Sequence, residues 1–215
     1  MIIDPHIAFI STATKLAPEL YPAVMARIAA RTEQPRGILM HFSTMHSDGF
    51  RVGTVFADSD SMLDGFLGFS APEAQNEMVA SGHAADITRD EHSLERLLVS
   101  EEVEARPFSF VPSGEIAACS SEPPGVGIEA FRKSVEEAGP VSESVPGRLA
   151  SIAYREGDMV QEIEFWDSRE RGQRWYEENA HSNQSWLQLN SFVVCAAQDD
   201  PVRRFTRKTD GPVQL

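Results

Sequence analysis

An eleven-residue stretch occurs twice in approximate form, and that echo constrains the fold more than any other feature of the chain. FADSDSMLDGF at 56–66 and FWDSRERGQRW at 165–175 match at Phe56 and Phe165, Asp58 and Asp167, Ser59 and Ser168, Phe66 and Trp175, an offset of 109 throughout. A turn precedes each copy, SDG at 47–49 and EGD at 156–158. Before each turn stands an apolar run opened by glycine, GILMHFSTM from Gly37 and GRLASIAYR from Gly147, where the offset is 110. The turn is expected to absorb the one-residue difference. A shared order of elements at a long period marks an internal repeat.

Each half reads as one sequence of elements. HIAFIST at 6–12 has strand alternation. PELYPAVMARIAARTE, 18–33, places Leu20, Val24 and Ile28 at helical spacing. GILMHFSTM and FRVGTVF form a hairpin around Ser47-Asp48-Gly49, and DSMLDGFLGF starts a second helix whose first N–H groups Asp58 or Ser59 would cap. In the second half, FSFVPSGEIAACS at 108–120 is strand-like despite Pro112 and Gly114, and GIEAFRKSVEEAG at 127–139 is an amphipathic helix. RLASIAYR and MVQEIEFW make the hairpin, RERGQRWYEENA the second helix and WLQLNSFVVCAA the last strand. Residues 70–93 lack a counterpart of equal length and read as a helix plus an excursion. This β-α-β-β-α-β order is the split βαβ, ferredoxin-like plan. The expected fold class is therefore α+β. Two fused ferredoxin-like units, 1–103 and 104–215, bury their open sheet faces against each other in one barrel-like arrangement.

Composition excludes several partners. With 19 Lys and Arg against 33 Asp and Glu, the formal net charge is -14, which repels polyphosphate and anionic membranes. RRFTRK at 203–208 reads as a solvated tail. No apolar run approaches the roughly 20 residues of a bilayer span, and the N-terminus lacks the basic region of a signal peptide. Cys119 and Cys195 are too few for a disulfide framework. A cytoplasmic chain, monomer or homodimer, with a small apolar or aromatic substrate is the expectation.

The FWDSRERGQRW junction, with WYEENAH in the following helix, resembles the dimeric α/β-barrel superfamily. That group includes antibiotic-biosynthesis monooxygenase-like, EthD-like and stress-responsive barrel proteins. Phe165, Trp166, Asp167, Ser168 and Trp175 carry the resemblance; the first copy has Ala57 where the second has Trp166. The resemblance implies a ligand pocket between helices and sheet. It also implies activities that range from cofactor-independent oxygenation of phenols and anthrones to isomerisation, cyclisation, dehydration and haem degradation. No cofactor is expected in the first reading; haem is the alternative.

Candidate residues follow from chemistry. Asp58 and Asp167 recur where helix caps are needed, and capping, worth about 1 kcal/mol, accounts for them. His41 alternates with Leu39 and Ser43 on an apolar strand, the place for a general base or a hydrogen-bonded core histidine. Tyr154 shares a strand face with Ile152 and Ala150 and needs a partner for its phenol. His181 and Asn183 lie with Trp186 after the second-half helix, where barrel pockets close. His41, Tyr154 and His181 are the candidate catalytic residues; Trp166, Asn183, Trp186, Phe42 and His83 are the candidate substrate contacts. No HxH, HxxxH or HExxH spacing offers a local metal site.

Overall fold

A computed structural model describes residues 7–14, 20–30, 37–46, 49–62, 76, 80, 86–121, 125–138, 145–179, 184–195 and 205–206. In chain order the elements are β1 (Ile7–Thr14), α1 (Leu20–Ala29), β2 (Ile38–His46), β3 (Gly49–Phe56), the short α2 (Ser59–Met62), β4 (Asp86–His92) and β5 (Leu94–Val99). There follow β6 (Ala117–Ser121), β7 (Val126–Gly127), α3 (Ile128–Ala138), β8 (Arg148–Glu156), β9 (Met159–Trp166), α4 (Arg169–Glu178), β10 (Gln184–Val194) and β11 (Phe205–Thr206). Both hairpins and the three long helices, α1, α3 and α4, form where periodicity and turn chemistry place them. Two segments differ. The excursion at 70–93 ends in β4, which continues through Ser93 into β5. The stretch 108–120 is regular strand only from Ala117, because Pro112 brings no N–H and Gly114 turns at φ 60°. Residues before it touch β10 through isolated bridges, Arg106 to Cys195 and Pro112 to Ser191.

All named strand pairs are antiparallel. The ladder runs β5-β8-β9-β6-β10-β2-β3-β1-β4. Because only Ser93 separates β4 from β5, and its carbonyl accepts from Arg155 N at 2.9 Å, the ladder returns to its start. Two long strands join the halves. β10 pairs with β6 through Gln184–Leu187 and with β2 through Gln188–Val194. Likewise, β4 pairs with β1 and β5 with β8. The ladder thus closes within one chain, as a curled antiparallel sheet with helices outside.

The two halves share one pairing scheme, and it corrects the register read from the echo. Ile38 faces Phe56 and Met40 faces Val55 across a bulge; Arg148 faces Trp166 and Ala150 faces Phe165 across another. Every one of these equivalences spans 110 positions, as do Gly37 and Gly147, at φ 70° and 86°, whose carbonyls accept from Ala57 N and Asp167 N. The counterpart of Trp166 is therefore Phe56 rather than Ala57, and that of Asp58 is Ser168. Capping follows the new register: Asp58 Oδ1 accepts from Ser61 N at 2.7 Å and Ser168 Oγ from Arg171 N at 3.3 Å. Asp167 is not the cap; it pairs with the Arg171 guanidinium.

Inside the ladder, Phe42, Val55, Leu94, Leu97, Ala150, Ile152, Phe165, Phe192 and Val194 form one core. Phe165 stacks on Phe192 at 4.6 Å and meets Phe42 edge-on at 5.1 Å. Outside, Tyr21, Met25 and Ile28 of α1 pack on Ile38, Phe50, Phe56 and Val193, while Phe131 of α3 packs on Ala153 and Val160. Leu20, Val24 and Ile28 pack on this face as their spacing predicts, with Val24 only partly buried, and Tyr21 and Met25 widen the stripe and bring Tyr21 against the sheet. The bulge at Ile38/Met40 also breaks simple parity. It sends Leu39 inward and Ile38 outward, whereas alternation alone groups Leu39 with His41.

Candidate functional site

Beneath α1 lies a buried chain of hydrogen bonds. His41 projects outward from β2, opposite to Met40 and Phe42. Its Nε2 lies 3.0 Å from Tyr21 Oη and its Nδ1 3.0 Å from Thr54 Oγ1. Tyr21 Oη also meets Ser191 Oγ, and Ser43 Oγ accepts from Asn190 Nδ2 at 3.2 Å. A neutral imidazole donates from one nitrogen and accepts at the other. With the proton on Nδ1, the chain has a single direction: Ser191 donates to Tyr21, Tyr21 to His41, and His41 to Thr54. Burial holds the His41 pKa down at about 3, so the ring is neutral at ordinary pH, and the same burial raises the Tyr21 phenol. Rings enclose the group: Phe108 stands edge-on to His41 at 5.1 Å, and Phe50 and Phe110 flank Tyr21 at 5.3 and 6.0 Å. Phe108, Phe110 and Ser191 come from the second half of the chain, so this site needs both halves.

The equivalent face of the second half carries ions instead. His41, Thr54 and Ser191 correspond by pairing to Ser151, Glu164 and Arg96, and the same 110-residue offset sets Tyr21 against Phe131. Arg96 pairs with Glu162, which also accepts from Ser151 Oγ at 2.6 Å, and the Arg96 guanidinium stands over the Phe131 ring at 5.3 Å. Glu164 is buried and accepts from Arg148 at 2.8 Å and from the Tyr176 hydroxyl of α4. Desolvation, with Glu162 nearby, raises the Glu164 pKa against the opposing pull of Arg148. Cys119 Sγ lies 3.3 Å from Tyr176 Oη, and burial pushes its thiol up to about 12, which makes it a poor nucleophile. Trp166, Trp175 and Tyr176 form a ring cluster with centroids 5.1 to 5.9 Å apart.

The candidate residues therefore separate. His41 belongs to the α1 group. Tyr154 packs against the interior core beside the His92 ring at 4.9 Å, its phenol pushed up by burial to about 12. The sheet lies between these two, so they do not form one catalytic pair. Phe42 is core, its ring over Gly53 and against Phe165, and does not line the α1 group. Trp166 is fully buried under α4, and Trp186 lies beside Gly172 of that helix with Arg169 over its ring at 5.3 Å. His181, Asn183 and His83 lie outside the described residues. Sequence reasoning missed Tyr21, Thr54, Ser191, Arg148, Glu164 and Tyr176. Two signals were present: a tyrosine at helical spacing with Met25 and Ile28, and the charge of Glu164 in an apolar strand, which demands a buried partner.

No protein-family model matches the chain, and no curated protein matches it. Among solved structures, it is similar to a protein of Lactobacillus acidophilus NCFM provisionally named a monooxygenase. Identity there is 15%, over 87% of this chain and 95% of that one, with a TM-score of 0.59. A second similar structure, from Fusobacterium nucleatum subsp. nucleatum ATCC 25586 and also provisionally named a monooxygenase, is 9% identical. It covers 96% of this chain and 100% of its own, with a TM-score of 0.61. At these identities the likeness shows the fold alone: the chain shares the architecture of these two proteins. Among the described residues, no helix is long and apolar enough to cross a membrane.

Proposed function

We propose that the chain is a small-molecule enzyme, a cofactor-independent monooxygenase acting on an aromatic or polyketide-like metabolite, with the Tyr21–His41–Thr54 chain as its acid–base group. The observation that carries this reading is a neutral, buried histidine whose two nitrogens are both held by hydroxyls. Thr54 orients the ring, and Nε2 is left as the proton acceptor, directly or through Tyr21. A base with so low a pKa accepts a proton only where the anion forms beside it. In a site walled by Phe108 and Phe110, imidazolium and substrate carbanion would arise as a pair, stabilised by the low dielectric. The carbanion then gives electrons to dioxygen. A CH2 group and O2 become a carbonyl and water, and the proton held by His41 returns to the departing oxygen. Similarity of fold to proteins provisionally named monooxygenases supports this choice of chemistry.

The same parts without oxygen would serve an isomerase, cyclase or dehydratase. Haem ligation by His41 is disfavoured, because both of its nitrogens are engaged. Oxygen uptake with a panel of anthrones and hydroquinones is the test. Uptake is expected to fall by about 100-fold or more in His41→Gln and Tyr21→Phe. Turnover without uptake would replace oxygenation by the acid–base alternatives. Uptake unchanged in both variants would remove the α1 group from the mechanism.

A further inference from the structure

The chain has three tryptophans, and all of them, Trp166, Trp175 and Trp186, gather on the α4 face of the second half, around Glu164. This concentration is built into the backbone. Gly172, in mid-helix, has no side chain where a Cβ would stand 2.7 Å from Trp186 and 3.0 Å from Trp166, so two indoles reach the helix itself. Trp175 and Trp186 are only half-buried, so an aromatic edge stands at the surface, with the Arg169 guanidinium over the Trp186 ring at 5.3 Å. Behind it, Arg148 compensates the Glu164 charge, and the acceptor already holds a phenol, that of Tyr176. Trp166 is fully buried. Its Nε1 is met among the described residues only by the Cys119 sulfur, a weak acceptor, and by no oxygen or nitrogen. A buried donor left wholly unsatisfied costs about 1–3 kcal/mol, and a ligand oxygen would satisfy this one better than the sulfur does.

We propose that this face is a second ligand site that binds a flat phenol. Its hydroxyl donates to Glu164 in place of Tyr176, its ring lies against Trp175 and Trp186, and an acceptor group on it takes the Trp166 N–H. The site is separate from the α1 group and stands or falls without it. Tyr176, on the half-buried side of α4, is the internal competitor: its phenol leaves the carboxylate when an external phenol arrives.

Since every tryptophan is here, intrinsic tryptophan fluorescence reports on this site. The probe is 4-nitrophenol at pH 6, where its hydroxyl is mostly protonated, with 4-nitroanisole as the control that lacks the donor. Saturable quenching by 4-nitrophenol is expected, at least about tenfold tighter than by the anisole. Tyr176→Phe, which frees the carboxylate, should tighten 4-nitrophenol several-fold and leave the anisole unchanged. Glu164→Gln should reduce the preference for the hydroxyl, and His41→Gln should change nothing. If circular dichroism shows Glu164→Gln unfolded, the Tyr176→Phe arm decides. Equal affinity for both probes, no saturation in either wild type or Tyr176→Phe, or weaker binding in Tyr176→Phe would overturn the proposal. So would loss of binding in His41→Gln.

Discussion

His41 is neutral because the described residues around it offer hydroxyls and rings but no counter-charge, and that neutrality has a cost in acid. The unfolded chain takes up a proton near pH 6.5, whereas the folded one resists until about pH 3. Between those values the unfolded state binds more protons, so stability is full above about 6.5 and falls as pH drops, by about 1.4 kcal/mol per pH unit. His41→Gln removes the titration. Urea unfolding measured from pH 4 to 7 should then show a shallower decline than wild type by about that slope; parallel curves would show that His41 is not held neutral. Arg148 and Glu164 answer the same problem of burial differently, by pairing opposite charges and adding Tyr176 as a third contact. One fold position thus carries a hydroxyl–imidazole chain in one half and an ion pair in the other.

At the scale of elements, α4 owes its seat to a glycine. In an exposed helix interior, Gly→Ala stabilises by about 1 kcal/mol. At Gly172 the added Cβ would meet Trp186 and Trp166 inside normal contact distance, and overpacking costs about 1–3 kcal/mol. Gly172→Ala should therefore lower the melting temperature, checked by a thermal scan; a rise would show that the indoles yield freely. β8, β9 and α4 were legible beforehand because Gly147, the Glu156-Gly157-Asp158 turn and the Ser168 cap mark their ends. β4 was not. DITRDEH carries charges at most positions, and it becomes a strand because β1 supplies its hydrogen bonds, which no local pattern records. The one-residue error in aligning the two junctions has a similar origin. Residue identity favoured Asp58 with Asp167, but equivalent bulges put Asp58 with Ser168, and either residue type can cap a helix.

For the whole molecule, the interior core is shared. Phe42 and Val55 come from the first half, Phe165 and Phe192 from the second, and the strands Asp86–Val99 and Gln184–Val194 each pair with both. Neither half buries its sheet without the other, so unfolding should be one cooperative transition. Phe165→Ala, which empties the centre, should cost about 3–5 kcal/mol and move tryptophan fluorescence and far-ultraviolet dichroism transitions together. Two separated transitions would mean that the halves fold independently.

By itself the sequence determined the order of the hairpins and long helices, the two strand–cap–helix junctions, the class of fold, and the presence of His41 on a largely apolar strand. These depend on local periodicity and turn chemistry, which nearby residues dictate. Only the tertiary structure decided which residues meet. Tyr21 and Thr54 reach His41 from a helix and a neighbouring strand, and Ser191 reaches Tyr21 from a strand 170 positions away, while Tyr154 falls on the opposite side of the same sheet. Both outcomes follow from strand pairing. Side chains alternate across a sheet, so register, bulges and ring closure choose the face, and none of these is written in local pattern.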